Sequence, residues 1–477
     1  MESLNNSNND SEPILNSRRI FMTGVVVGAG AASVPYWFGR LFNSPTPCAV
    51  AQPAATAVPL PTVTLFPTDT PPILITSPIE TPNQTPMPEE YTIDVLLNNI
   101  NVTIERSLST GFLEFVTLPE GQMIVDRPIT FKIPEGAKVS MKGHDNGSVL
   151  KLTPEMSRLQ RDANGEHIWG TFGVNNIIYV EDLSGELHFN NITFDGGLEG
   201  VPSGNKMPPK SPWDSLILAV GPGEAGYNHR YSTGMPERDG KRKGVVRVFN
   251  CEFTNSESAG IVAQNLHGAY LEDIKGHTLD ALAIFNWTDT ARIIRSQAEN
   301  LTSDGVYANA VGMLKAARVD IVTARQGIDL QGVGFADIQY CNFVDCAKAF
   351  EVLFSETDRS TPSGNILINS CKTDGCMHLL SVTGTRQVEM RNSVHTNVGR
   401  WAQYSVPGDF YHFDGVRDPR HFTWETRPIF AWGPAPDLKA PASGLMPNML
   451  FSEVYVQLAE NSISNWGNSQ FLGVTYS

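Results

Sequence analysis

Two acidic residues, Asp329 and Glu351, stand 22 residues apart in matching phrases, Gly327-Ile328-Asp329-Leu330 and Ala349-Phe350-Glu351-Val352. Each carboxylate lies between two large apolar residues. That is the pattern of a strand with one buried face, so the acid points away from the core. If such strands stack in parallel, Asp329 and Glu351 become neighbours about 4.8 Å apart on one sheet. Like charges placed side by side are destabilising and push one of the two pKa values up. The cost falls if the pair shares a proton, holds a cation or meets a basic partner. A shared proton gives a general acid beside a base or nucleophile, the equipment of glycoside hydrolysis. A held cation suggests Ca²⁺, which would neutralise an acidic sugar.

The surrounding residues extend both readings. Tyr307 takes the place of Asp329 one coil earlier, and Asn309 and Gln331 enlarge the polar patch; these three are candidate substrate contacts. Asp280 and Asp304 each precede a strand and form a second candidate stack, for a metal; Asp304 is also a catalytic candidate. Arg325 and Lys348 sit at the adjoining turns, where a base for proton abstraction would make the reaction a β-elimination. The plainer alternative is a solvated acidic stripe on an acidic protein.

The elements that position these residues come from a short repeat. Aligning the apolar pairs after each turn puts Ile261, Leu282, Val306, Ile328 and Phe350 at spacings of 21, 24, 22 and 22. FNCEF, YLEDI, YCNF and INSC run in step with them. A period this short, built of strands and turns, belongs to a solenoid whose coils share one continuous core. Leucine-rich spacing is missing, and a propeller needs a period of roughly 40 to 50. The expected fold is all-β, a right-handed parallel β-helix. The stretch YTIDVLLNNINVTIERSL, with a helix near residues 93–106, is expected to cap its first coil.

At this point the sequence resembles the pectate-lyase-like superfamily, over about residues 110–400. VTLPEGQMIVDRPITFKIPEGAKVSMKGHDNGSVLKLT is similar to the family's opening coils, and Cys251-Glu252-Phe253 and Cys341-Asn342-Phe343 to its Asn/Cys-x-Phe phrases. The resemblance implies the fold and an action on polysaccharide. It does not carry a particular reaction. The adjacent Asp-Asp pair and Gly-His-Gly phrase of the hydrolase branch are missing, and so is the Arg-Pro-Gly phrase of one lyase branch.

Composition narrows the partners. With 35 basic and 50 acidic residues the net charge is −15, which argues against nucleic acid, since phosphate binding relies on clustered Lys and Arg. No HExxH, P-loop or Gly-x-Ser-x-Gly phrase occurs. Residues 1–51 are read as an export signal or anchor, with Ser17-Arg18-Arg19-Ile20-Phe21-Met22 resembling a twin-arginine motif and Ala49-Val50-Ala51 a cleavage site. Residues 52–90, with ten Pro and eight Thr, form an extended linker that would tether the folded part to a membrane or cell wall. Residues 91–477 form the β-helix domain, with a Gly/Pro-rich insertion at 198–244 and an aromatic-rich C-terminal cap at 401–477. Cys341 and Cys346 stack over Cys371 and Cys376 in successive coils, as free thiols, as disulfides between coils, or as a zinc site.

The expected function is that of a secreted carbohydrate-active enzyme, a lyase or hydrolase of an acidic or plant-type polysaccharide, with Ca²⁺ as the one cofactor considered. The alternative is a non-catalytic surface rod that binds glycan or protein.

Overall fold

The computed structural model describes residues 86–88, 91–153, 156, 176–198, 215–222, 242–256, 258–355, 361–398, 430–433, 445, 447–458 and 474–476. The described residues all belong to one compact unit, residues 84–477. The export motif, the cleavage site and almost all of the linker lie outside the described residues. No helix among the described residues is long and apolar enough to cross a membrane.

The chain winds as a right-handed parallel β-helix. Each coil gives one strand to a narrow ten-stranded sheet and two successive strands, or one long one, to a wide nineteen-stranded sheet. Every strand pair among the described residues is parallel. In the narrow sheet the register runs Ile129, Ile178, Ile217, Ile261, Ala283, Val306, Ile328, Phe350, Leu380, each at the same height in its coil. These side chains are at most 1% exposed and form the inner wall of one continuous core. Phe343 of the wide sheet meets Phe350 across that core, edge to face, with centroids 5.0 Å apart.

The corners are turned by single residues in the left-handed region. Asn250, Asp273, Arg295, Arg318, Tyr340, Ser370 and Asn392 have φ between 50° and 56° and separate the two wide-sheet strands of successive coils. Asn255, Thr278, Asn300, Thr323 and Asp345 turn the next corner, and Asn265, Trp287 and Ala310 the third. Asn and Asp adopt this conformation readily, but for Thr, Arg or Trp it carries strain.

The helix spans Ile93–Thr110. Thr92 caps its start, accepting from the Val95 amide at 3.3 Å, and Gly111 ends it at φ 74°. Its buried face, Leu96, Ile100 and Ile104, lies on the first coils. The Ser107 hydroxyl bonds it there, accepting from the Lys138 amide at 2.8 Å and donating to the Phe112 carbonyl at 2.7 Å. This covers the open core and strand edges of the first coil, as the sequence suggested.

Ser215–Val220, inside the supposed insertion, is a fully buried strand of the narrow sheet, paired with Ile178–Val180 and Ala259–Gln264. Its run Leu216-Ile217-Leu218-Ala219-Val220 is buried on both faces, so it lacks the alternation that marks a strand in sequence. Towards the C-terminus Phe430–Gly433 extends the narrow sheet and Asn448–Leu458 the wide one, followed by Val474–Tyr476. The rest of both segments, including Trp401 to Trp424, lies outside the described residues.

Cys251, Cys341, Cys346, Cys371 and Cys376 are free and buried. Asn342 pairs with Lys372 and Val344 with Asp374, so Cys341 is level with Cys371 and Cys346 with Cys376. The thiols donate weakly to backbone carbonyls such as those of Gln339 and Phe343. Burial pushes the Cys251 thiol up to about 12 and lifts Cys341 and Cys346 well above the ordinary range. They behave as small apolar core residues.

Candidate functional site

The narrow sheet has an outer face, and along it the side chains change character from coil to coil. One row reads Tyr179, Leu218, Val262, Ile284, Tyr307, Asp329, Glu351, Ser381. A second, three residues earlier, reads Ser215, Ala259, Asp304, Gln326, Lys348, His378, with Ala281 of the coil between level with Asp304. A third, two residues later, reads Val220, Gln264, Asn286, Asn309, Gln331, Leu353. The early coils are apolar here: Leu218, Val220, Ala259, Val262, Ala281 and Ile284 form their own cluster. From Asp304 onward the face is polar. At the apolar end the Tyr179 phenol is pushed up by burial and by the charge of Glu181.

The first and second rows can both face outward because each strand starts with an irregular step. Gly305 and Gly327 point into the core: a Cβ on Gly327 would come 2.6 Å from the Phe343 ring, and one on Gly305 2.7 Å from Ile321. Ala349 fills that place in the next coil and is fully buried. Two successive inward positions, 327 and 328, therefore put residues 326 and 329 on the same outer side. That brings Lys348 and Glu351, three apart, into an ion pair.

Asp329 and Glu351 are register partners, Tyr307 precedes Asp329, and Asn309 partners Gln331. The Tyr307 hydroxyl donates to Gln331 Oε1 at 2.8 Å, and Gln331 Nε2 donates to Asp329 Oδ2 at 3.1 Å. Ser303 donates to Asp304 Oδ2, and Ser355 to Asn309 Oδ1, both at 3.1 Å. A solvated acidic stripe is excluded, because Asp304, Asp329 and Glu351 are only 4%, 3% and 7% exposed.

Three expectations fail in detail. Asp280 and Asp304 do not stack: Ala283 pairs with Val306, which puts Asp280 level with Ser303, and Asp280 accepts from Thr302 at 2.7 Å. Among the described residues no three His, Cys, Asp or Glu side chains are grouped so as to hold a metal ion. That geometry gives neither Ca²⁺ at Asp280 and Asp304 nor zinc at the cysteines a donor set. Arg325 sits at the turn before its strand, whereas Lys348 begins the strand itself. Gln326 is the partner of Lys348, and the Arg325 carbonyl accepts from the Lys348 amide at 2.8 Å. Lys348 also spends its charge on Glu351 rather than standing as an uncommitted base.

Sequence reasoning missed Gln326, His378 and Asn286. Gln326 and His378 share the row of Asp304 and Lys348. His378 escapes a 22-residue repeat because the coil between Lys348 and His378 is 30 residues long. Gln326 and Asn286 are wholly buried, and neither side-chain amide has a hydrogen-bond partner among the described residues. The one sequence signal for Asn286 was its match to Asn309.

No family model matches this sequence, and no curated protein matches it. Solved structures do resemble it. The pre-mature gene product 12 of bacteriophage phi29 is similar at TM-score 0.41 and 12% identity, over 79% of this chain and 48% of that one. This chain thus spans about half the length of the phage protein. The catalytic unit of the GH87 alpha-1,3-glucanase of Streptomyces thermodiastaticus is similar at TM-score 0.35 and 11% identity, over 82% of this chain and 68% of that one. The exopolygalacturonase of Thermotoga maritima is similar at TM-score 0.38 and 11% identity, over 76% of this chain and 83% of that one. The likeness is one of backbone winding.

Proposed function

We propose that this chain is a carbohydrate-active β-helix protein and that the polar end of the narrow sheet's outer face cleaves a glycosidic bond by hydrolysis. One observation carries the reading: Asp329 and Glu351 are register partners on a buried face, with Lys348 ion-paired to Glu351. Two carboxyl groups side by side and away from water suit acid–base cleavage of a glycoside. The Lys348 ammonium favours the ionised form of Glu351, which makes Glu351 the base or nucleophile. Asp329, beside the anionic Glu351, then serves as the acid that protonates the departing oxygen, with the Gln331 amide fixing its orientation. Tyr307, Asn309 and Gln331 line the same rows and supply substrate contacts. Hydrolysis is preferred to β-elimination because Lys348 is engaged by Glu351 and the proposed cation pair is out of register.

The test is a glycan panel read for new reducing ends and for unsaturated products. Asp329→Asn and Glu351→Gln should each abolish reducing-end release while the far-ultraviolet circular dichroism stays that of a β-helix. Full turnover in both variants would reject the assignment. A second reading, a rod that binds glycan without cleaving it, is favoured by the low exposure of the same acids. It predicts binding with no product of either kind. We further propose export by a twin-arginine route, which substitution of Arg18 and Arg19 by Lys should block.

A further inference from the structure

The polar face also carries information about charge. Its titratable groups are three carboxyls, Asp304, Asp329 and Glu351, one imidazole, His378, and one ammonium, Lys348, that is already paired with Glu351. A uronate chain brought onto this face would meet like charge on each of three neighbouring coils. Hydroxyls and amides surround them: Tyr307, Asn309, Gln331, Asn286 and Gln326.

Two of these amides have an unmet demand. Asn286 and Gln326 are 0% exposed, and both the N–H₂ and the C=O of each lack a partner among the described residues. A buried amide normally uses both functions. Asn286 lies in the third row, and Gln326 lies in the second row two coils further on, so they mark diagonally opposite corners of the polar patch. Tyr307 and Asp304 belong to the coil between them, and the apolar cluster of Val262 and Ile284 adjoins the Asn286 corner. A group that both donates and accepts satisfies a primary amide, and a sugar hydroxyl does both. Tyr307 offers a ring of the kind on which sugars stack.

We infer that the ligand of this face is an uncharged polysaccharide, laid obliquely across the coils from Asn286 past Tyr307 to Gln326, and not a uronate chain. The inference rests on the glycan-acting reading and narrows it. Hydroxyls of the neutral chain satisfy the two amides, and the carboxylates stand between those corners.

The test uses the full chain and two sets of probes of equal length: neutral oligosaccharides (glucan, mannan, xylan and galactan) and oligogalacturonate. Titration calorimetry should show binding of at least one neutral oligosaccharide, with an affinity unchanged between low and high NaCl. Gln326→Leu and, independently, Asn286→Leu should each weaken that binding at least tenfold. Their thermal midpoints should stay level or rise, because each removes an unsatisfied buried amide. A merely structural amide would give the opposite sign, a lowered midpoint with binding intact, and that result would overturn the inference. Preference for oligogalacturonate would also overturn it while leaving the glycan-acting reading in place. Binding of neither set would remove both.

Discussion

Lys348→Met is the sharpest single perturbation of the site, because it leaves Glu351 in place and removes its counter-charge. The Lys348 and Glu351 side chains are 14% and 9% exposed, so the pair is largely desolvated. Removing one partner of a buried pair costs about 3–5 kcal/mol, most of it the penalty of the charge left behind. In a solenoid the effect falls on the local coils. The assay is therefore hydrogen exchange at the amides of Gln326–Gln331 and Lys348–Leu353, two paired strands of the narrow sheet. A loss of 3–5 kcal/mol should speed their exchange roughly 150- to 5,000-fold, provided that opening exceeds local fraying. Lys348→Met combined with Glu351→Leu removes both charges and should return exchange to within about tenfold of the parent. Unchanged exchange in the single variant would refute the buried ion pair. A double variant as fast as the single one would show that the loss came from packing and not from charge.

Three further outcomes follow from the core. His395, inside the last coils and 3.0 Å from the Thr373 hydroxyl, is held near pKa 3 by desolvation, against 6.5 when unfolded. Because the unfolded chain binds the extra proton, stability present above pH 6.5 should fall by about 1.4 kcal/mol per unit as pH drops toward 3, and His395→Asn should flatten that slope in urea melts. All six cysteines should react with a thiol reagent in denaturant without reductant, while the five in the fold stay unreactive in native buffer; only two reactive thiols in denaturant would mean two disulfides. Gly327→Ala should destabilise by about 1–3 kcal/mol, because its Cβ would sit 2.6 Å from the Phe343 ring and 2.7 Å from the Ala349 carbonyl. Thermal melts that show no loss would mean that this inward step of the strand is looser than described.

Much of this was readable before any coordinates, and the failures have one cause. Ile328 and Phe350 repeat with their flanking residues, so Asp329 and Glu351 could be placed side by side from spacing alone. The coil before was misaligned by one residue. Leu282 was matched to Val306, whereas Ala283 is the true partner, and both Leu282 and Ala283 are fully buried. Two adjacent inward residues cannot be ordered by an alternation rule, and the slip carried Asp280 into a false stack with Asp304. Ser215–Val220 was hidden for a related reason: a strand buried on both sides, with Gly/Pro-rich sequence before and after it, has no polar beat to count. The Lys348–Glu351 pair was invisible because an ordinary strand sends residues three apart to opposite sides.

The left-handed corners divide the coil into parts that can and cannot vary. Where the two wide-sheet strands meet, the link is short in every coil, from Asn191-Ile192 and Asn250-Cys251 to Ser370-Cys371, and reaches five residues only at 143–147. Every long stretch between the described strands up to residue 448 falls at the other two corners: 153–177, 196–214 and 399–429 before a narrow-sheet strand, 221–244, 354–362 and 434–447 after one. The winding thus tolerates growth only along the two borders of the narrow sheet. Extra chain can therefore lengthen both margins of the candidate face with no coil shifting its rise, whereas the opposite edge has no such room.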